Sequence, residues 1–400
     1  MTPSAGVWFR DAGGYDAGRA PVAQWIERHR PKVRVGGSSP SGGANSDYRR
    51  AYLLADGAVT RSSLELTREQ ILSHRRTVGA LDERLPSGPD SLRQAAWAGL
   101  QDSMPRAAVL SIHARVEGTE PGTWEHPSLV QVWGPRFSAF VVAAEDRAVF
   151  TLGRSPDDPG RRERGERLAD RLEAFLDGKR MRYGEAGRGL GIHPNALRYA
   201  APTGRVLIRW DGARQPVIWT VPAPDVDPHN ARTELARRYL HVFGPGTSAG
   251  FASWAGIRPP QARAAFDAIT DALTPVRTPI GDAWILGSDE PSFLAPRSEP
   301  TGAVRLLPSG DSYFLLQGAE RELLVPDTAR RGELWTPRVW PGAVLASGEI
   351  AGIWRRAEAT VTVQTWRRLT AEERDRVEAE AASLPLPGAG PIRVRWDEMR

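Results

Sequence analysis

Eight basic side chains crowd one short stretch of the chain: Lys179, Arg180, Arg182, Arg188, Arg198, Arg205, Arg209 and Arg214. Only Glu185 and Asp211 oppose them there, a net +6 against +5 for all 400 residues. The chemistry such a patch can do is phosphate binding, because guanidinium groups neutralise backbone phosphates and release their counterions. Other residues that could do chemistry form no pattern. Seven His are scattered without metal-ligand spacing, and the absence of Cys excludes thiolate metal sites and disulfides. Gly187-Arg-Gly-Leu-Gly191 has no strand immediately before it, so it reads as a turn rather than a phosphate loop. Neither a metal nor a cofactor is expected.

The elements around the basic stretch decide how it would be presented. Arg161 to Asp177 reads as a charged amphipathic helix with Leu168, Leu172 and Phe175 on one face. A glycine-punctuated turn leads into a short helix at His193 to Ala201, where Pro194 suits the first turn and Gly204 ends it. Arg205 to Trp210 and Val217 to Val221 then read as strands joined across Asp211-Gly212, a hairpin signal. Helix, turn, helix and a two-stranded wing is the order of a winged helix, which places one helix in the DNA major groove. Arg188, Arg198, Arg205, Arg209 and Arg214 become candidate DNA contacts.

The same order reads out on either side. Before it, Thr67 caps a helix to Gly79, a second helix spans Asp90 to Leu100, and a third runs from Ser103 to Arg115. Leu129 to Trp133 and Ala139 to Val142 follow as strands. After it, helices are expected at Asn230 to Val242, at Ser248 to Ala255 capped by Thr247, and from Pro259 to Leu273. A hairpin then joins Val276 to Ile280 and Ala283 to Leu286, turning at Gly281-Asp282. The last hundred residues change to short β-type runs: Ala303 to Leu307, Tyr313 to Gln317, Glu322 to Val325, Ala343 to Ala346, Glu349 to Arg355 and Thr360 to Trp366. Thr370 caps a helix to Ser383, and Ile392 to Trp396 returns as a strand. The expected fold class is therefore α+β: three tandem winged-helix units (64–153, 160–226 and 229–290) and a C-terminal β-rich element with a terminal helix (300–400).

No apolar run reaches the length of a membrane span and no signal peptide opens the chain, so a cytoplasmic, nucleoid-associated monomer is expected. Arginine supplies 51 of the 53 basic residues, a skew that points to a GC-rich genome rather than to function. Residues 1–60 are rich in Gly, Ser and Arg and lack periodicity. Pro21 to Ala44 resembles the conceptual translation of a transfer-RNA gene. The segment reads as a spurious extension with the start nearer Leu54 to Leu66; the competing reading is a disordered basic tail.

Several stretches together resemble a known family. They are Val206-Leu-Ile-Arg-Trp210, Ala231 to Leu240, Phe243-Gly-Pro-Gly-Thr-Ser-Ala-Gly-Phe-Ala-Ser-Trp-Ala-Gly-Ile257, Arg305-Leu-Leu-Pro308, Arg321 to Val325 and Val339 to Val344. From Leu66 to Glu398 the chain is similar to the tandem winged-helix DNA glycosylases of the AlkZ/YcaQ type. The resemblance implies double-stranded DNA as partner and removal of alkylated or crosslinked bases. It also implies a Gln-x-Gln or Gln-x-Asp motif before the third helix of the first unit, holding water and stabilising an oxocarbenium-like sugar. The corresponding stretch is Gly99-Leu-Gln-Asp-Ser-Met-Pro-Arg106, where a gapless count from Arg115 sets Ser103-Met104-Pro105 at the motif and leaves Gln101 and Asp102 adjacent. Asp102 and Gln101 are the catalytic candidates, with Arg106 added to the DNA contacts. The bland alternative makes Asp102 or Ser103 an N-cap, with Pro105 in the helix's first turn. The motif is not intact, which leaves a non-catalytic DNA-binding protein, a transcription regulator or damage sensor, as the rival function.

Overall fold

The computed structural model describes residues 64–104, 106–212, 214–295, 302–388 and 390–397. The proposed extension over 1–60 and the expected role of Pro105 lie outside them. The described residues form one compact unit of mixed α+β character.

Three sheets organise it. The largest has six strands in the spatial order Leu100–Gln101, Ala139–Ala143, Leu129–Trp133, Val206–Arg209, Val217–Thr220 and Met181–Arg182. It joins two sequence-distant hairpins through the pairing of Gln131 with Ile208. A second sheet pairs Leu64–Glu65 in parallel with Leu273–Thr278, which pairs antiparallel with Gly281–Leu286. The third runs Val304–Leu307, Gly342–Ala346, Glu349–Ala357, Thr360–Thr365 and Arg393–Asp397.

The helices start where capping residues stand. Thr67 accepts from Gln70 N while the Gln70 side chain accepts from Thr67 N, opening Arg68–Val78. Asp158 opens Pro159–Leu176, Thr247 opens Ser248–Ala255, and Thr370 with Glu373 opens Ala371–Ala382. The apolar stripe of Pro228–Phe243 explains the main core. Tyr239 and Phe243, one turn apart, meet Trp254 with ring centroids 5.6 and 5.3 Å away. A separate core lies between Pro159–Leu176, the 3₁₀ helix Pro194–Thr203 and the strands Val206–Arg209 and Val217–Thr220, built on Leu172, Leu197, Ile208 and Ile218.

Several expectations need correction. The turn expected around Gly187 is helical, since Tyr183–Gly189 is a helix that directly follows the strand Met181–Arg182, and the helix expected to reach Leu273 stops at Asp267. The helix expected to reach Leu100 stops at Ala95, because Gly99 (φ 73) turns the chain so that Leu100–Gln101 can pair with Ala139–Ala143. A Cβ at Gly99 would lie 3.0 Å from both Phe140 and Phe150. Tyr313 to Gln317 and Glu322 to Val325 are not strands. Asp311 accepts from Tyr313 N and starts the 3₁₀ turn Ser312–Phe314, and Glu320–Leu324 is helical. Their apolar residues are buried in two cores, Leu323 in one and the others in the main core, rather than on a sheet face. The third hairpin turns at Pro279-Ile280, where Thr278 Oγ1 accepts from Ile280 N and donates to Gly281 O, so Gly281-Asp282 already belong to the returning strand.

Candidate active site

Leu100–Gln101 form an edge of the six-stranded sheet, and Asp102 to Met104 leave it as a loop. Leu100 pairs with Val141 and Gln101 with Phe140, and Asp102 N continues the ladder by donating to Ala139 O at 2.8 Å. Arg106 takes a left-handed backbone (φ 68) just before the helix Ala107–His113. Successive side chains on an extended backbone point to opposite sides. Leu100 and Asp102 accordingly face inward, 1% and 5% exposed, whereas Gln101 and Ser103 are half-buried.

Asp102 is sealed into the protein. One carboxylate oxygen accepts from Ala108 N at 3.0 Å, capping the helix, and the other accepts from Gln131 Nε2 at 2.6 Å. Burial pushes its carboxyl up to about 7, against the opposing pull of those two donors and of Arg106. Gln131 is buried on Leu129–Trp133, and its Oε1 accepts from Trp210 N at 2.5 Å. One glutamine thus links the Asp102 loop to the hairpin that ends at Arg209.

Gln101 has a different setting. Its Oε1 accepts from Arg136 Nη2 at 3.0 Å, and Arg136 Nη1 donates to Trp254 O at 2.6 Å. Gly310 (φ 79) comes so close that a Cβ there would lie 3.2 Å from Gln101 Nε2. The Ser103 hydroxyl is buried and has no hydrogen-bond partner among the described residues. Gln101 and Ser103 are thus half-buried residues on either side of the buried Asp102.

The basic candidates are dispersed. Arg205 is held by Asp170 at 2.5 Å, by Glu173, and by Glu166 at 3.6 Å, all on Pro159–Leu176; the Asp170 bond leads in raising its guanidinium above the ordinary arginine range. Arg209 pairs with Glu125 and lies over the Trp124 ring. Arg180 lies over Trp219, 4.3 Å from its ring centre. Arg188 and Arg214 are exposed, the latter with its backbone N–H donating to Asp211 Oδ1. Arg198 is half-buried over Trp133, and Arg106 is half-buried beside the Asp102 loop. Among the described residues, no group of three or more His, Asp or Glu is placed to hold a metal, and no helix is long and apolar enough to cross a membrane.

A family model for AlkZ-like DNA glycosylases matches residues 94–385. The chain belongs to the AlkZ-like DNA glycosylase family. Its structure is similar to that of the Streptomyces sahachiroi DNA glycosylase AlkZ, with a TM-score of 0.68 and 17% sequence identity. That likeness covers 84% of this chain and 100% of the other. Curated proteins gave no match. The AlkZ-like chain is thus a DNA-repair glycosylase-like protein.

Sequence reasoning missed Gln131 and Arg136 in this AlkZ-like chain. Gln131 was legible only as one polar residue among the apolar neighbours of Leu129 to Trp133. Arg136 sits in the tight connection of the first hairpin, with a left-handed backbone (φ 54), and nothing local to it announces the contact with Gln101.

Proposed function

We propose that this protein is a winged-helix DNA glycosylase that hydrolyses the N-glycosidic bond of a cationic alkylated base in duplex DNA. The observation that carries this reading is the pairing of a fixed amide with a free hydroxyl. Gln101 is held through Oε1 by Arg136, which leaves Nε2 to donate, and the buried Ser103 hydroxyl has no hydrogen-bond partner among the described residues. Strand alternation favours counting Gln101-x-Ser103, rather than Ser103-Met104-Pro105, as the counterpart of the family's Gln-x-Gln motif. Two such groups can hold one water against the anomeric carbon. As the C1′–N bond breaks, its electron pair leaves with the base, which neutralises the base's positive charge. The C1′–O bond forms from the water, whose proton passes to solvent. A leaving group that is already cationic needs no acid, and the buried Asp102 is not asked to supply one.

Asp102 supports this arrangement by holding the loop that carries Ser103. The three helix-and-hairpin segments are read as winged helices, with Arg188, Arg198 and Arg214 as the contacts to duplex backbone. A non-catalytic damage-binding protein is the second reading, and the sealed position of Asp102 is what favours it. Release of N7-methylguanine from duplex DNA, followed by alkali cleavage at the abasic site, separates the two. Wild type should release the base and Gln101→Ala should do so far more slowly; tight binding with no release by wild type would leave the binding protein.

A further inference from the structure

One turn from the C-terminal part of the chain lies against Gln101. The strand Val304–Leu307 leads into Pro308-Ser-Gly-Asp311, where Asp311 N donates to Pro308 O at 3.0 Å and closes the turn. Gly310 takes φ 79 there, a left-handed backbone that favours glycine. A Cβ built on it would lie 3.2 Å from Gln101 Nε2 and 3.5 Å from Gln101 Cδ, so the amide would have to shift by a few tenths of an ångström. The Gln101 amide is thus bounded twice. Arg136 Nη2 donates to its Oε1 at 3.0 Å, and the bare backbone of Gly310 lies beside its Nε2.

A buried ion pair holds that turn. Asp311 is 1% exposed, and its two oxygens accept from Arg115 Nη1 and Nη2, each at 2.7 Å. Ser111 Oγ donates to the same carboxylate at 2.6 Å, and Arg115 Nη2 also donates to Ser312 Oγ at 3.1 Å. Ser111 lies on the helix Ala107–His113, which is capped by Asp102, the residue after Gln101. The contacts close into a ring. They run from Gln101 to Asp102, through the helix to Ser111 and Arg115, across to Asp311, and from Gly310 back to the Gln101 amide. A bidentate pair fixes direction as well as distance, and removing one partner of a buried pair leaves an uncompensated charge. Well-packed apolar residues in place of such a pair are often neutral for stability, which leaves geometry as what the pair contributes.

We infer that Gly310 is a positioning residue for the Gln101 amide, and that the Asp311–Arg115 pair fixes the turn at the distance which sets the direction of Nε2. Gly310 touches no reacting atom; it acts by leaving the amide its place. This role rests on the assignment of Gln101 to the reacting sugar, and adds to it the distant part of the chain that orients the amide.

The test compares Gly310→Ala with Gly318→Ala in the full chain. Gly318 (φ 54) is also left-handed but has open space beside it, so its variant carries backbone strain without the contact. In protein labelled at Gln and Gly, the Gln101 side-chain amide signal is identified by its loss in Gln101→Ala. Wild type should show a nuclear Overhauser contact between those amide protons and a Gly310 Hα. Its absence overturns the placement, and this measurement decides even if Gly310→Ala fails to fold. Gly310→Ala should move the Gln101 amide signal and Gly318→Ala should not; a signal unmoved in Gly310→Ala overturns the inference. In single-turnover release of N7-methylguanine, Gly310→Ala should be slower by about 10-fold, less than the ~10²-fold that a misplacement of about 1 Å can cost. Duplex affinity should stay at the wild-type value. Gly310→Ala added to Gln101→Ala should slow release no further, because the two act as one unit. Equal slowing in both backgrounds means that Gly310 acts elsewhere and overturns the inference. A wild type that releases nothing refutes the excision reading alone, and the Overhauser contact and the amide shift still decide what orients Gln101.

Discussion

The Asp102 carboxylate accepts a 2.6 Å hydrogen bond from the Gln131 amide, and the other end of that amide accepts from Trp210 N. The loop before the helix Ala107–His113 is thereby tied to the end of a strand more than a hundred residues away. Because the buried carboxyl is raised from 3.8 to about 7, it binds its proton more tightly in the folded chain than in the unfolded one. Its contribution to stability is therefore present at low pH and is lost as pH rises from about 4 to about 7. The loss proceeds at up to about 1.4 kcal/mol per pH unit. Asp102→Asn keeps an acceptor for Ala108 N and removes the titration. Urea unfolding of both proteins at pH 5, 6, 7 and 8 should show a steeper fall in wild type; parallel curves would mean that Asp102 is not a buried titrating group.

Gln101→Ala is expected to slow release of N7-methylguanine by about 10²–10³-fold, the usual cost of one positioned polar group. Ser103→Ala should slow it in the same direction. Both side chains are half-buried and lie off the main cores, so melting temperatures should stay close to wild type. Asp102→Asn should alter excision much less than Gln101→Ala does. Equal rates for Gln101→Ala and wild type in single-turnover assays would remove Gln101 from the reaction.

His74 and His113 should make the protein acid-labile. His74 stacks on Phe293 at 3.8 Å and its ring nitrogens face Ser292 Oγ and His241 O. Burial leads in lowering both histidines to about 4, and nearby Arg84 and Arg305 add to it at His113. A lowered histidine favours the fold above its unfolded pKa of about 6.5, and that contribution is lost as pH falls toward 4. The sign is opposite to that of Asp102 over the same range. His113→Gln should lose less stability than wild type between pH 6.5 and 4 in urea titrations. An equal loss in both would clear His113.

Arg205 and Arg214 should separate cleanly in DNA binding. Arg205 is occupied by Asp170 and Glu173, so Arg205→Ala should leave the salt slope of duplex binding unchanged and cost about 0–1 kcal/mol of stability, since its partners are solvent-exposed. Arg214→Ala should weaken binding to all sequences and lower the slope by about 1. A slope that drops in Arg205→Ala instead would show that the acidic helix face yields to DNA.

The sequence by itself determined much of the local architecture. Thr67, Thr247 and Thr370 marked helix starts because a side-chain oxygen must satisfy the first free N–H groups, and all three do so. The β-branched run Val206-Leu-Ile and the Asp211-Gly212 turn marked a hairpin for equally local reasons. The family, too, was legible, in residues such as Phe243 to Ile257 that pack one core. Charge was legible only within a window: the +6 counted from Lys179 to Arg214 omitted Glu166, Asp170 and Glu173, one helix earlier, which fold against Arg205. Only the tertiary structure decided that Asp102 is buried while Gln101 and Ser103 are half-buried. That choice depends on the ladder with Ala139–Ala143 and on Gln131 and Arg136, partners 29 and 35 residues away in sequence. Side-chain direction on a short edge strand is set by what it pairs with, and pairing at that distance leaves no periodic trace in the chain.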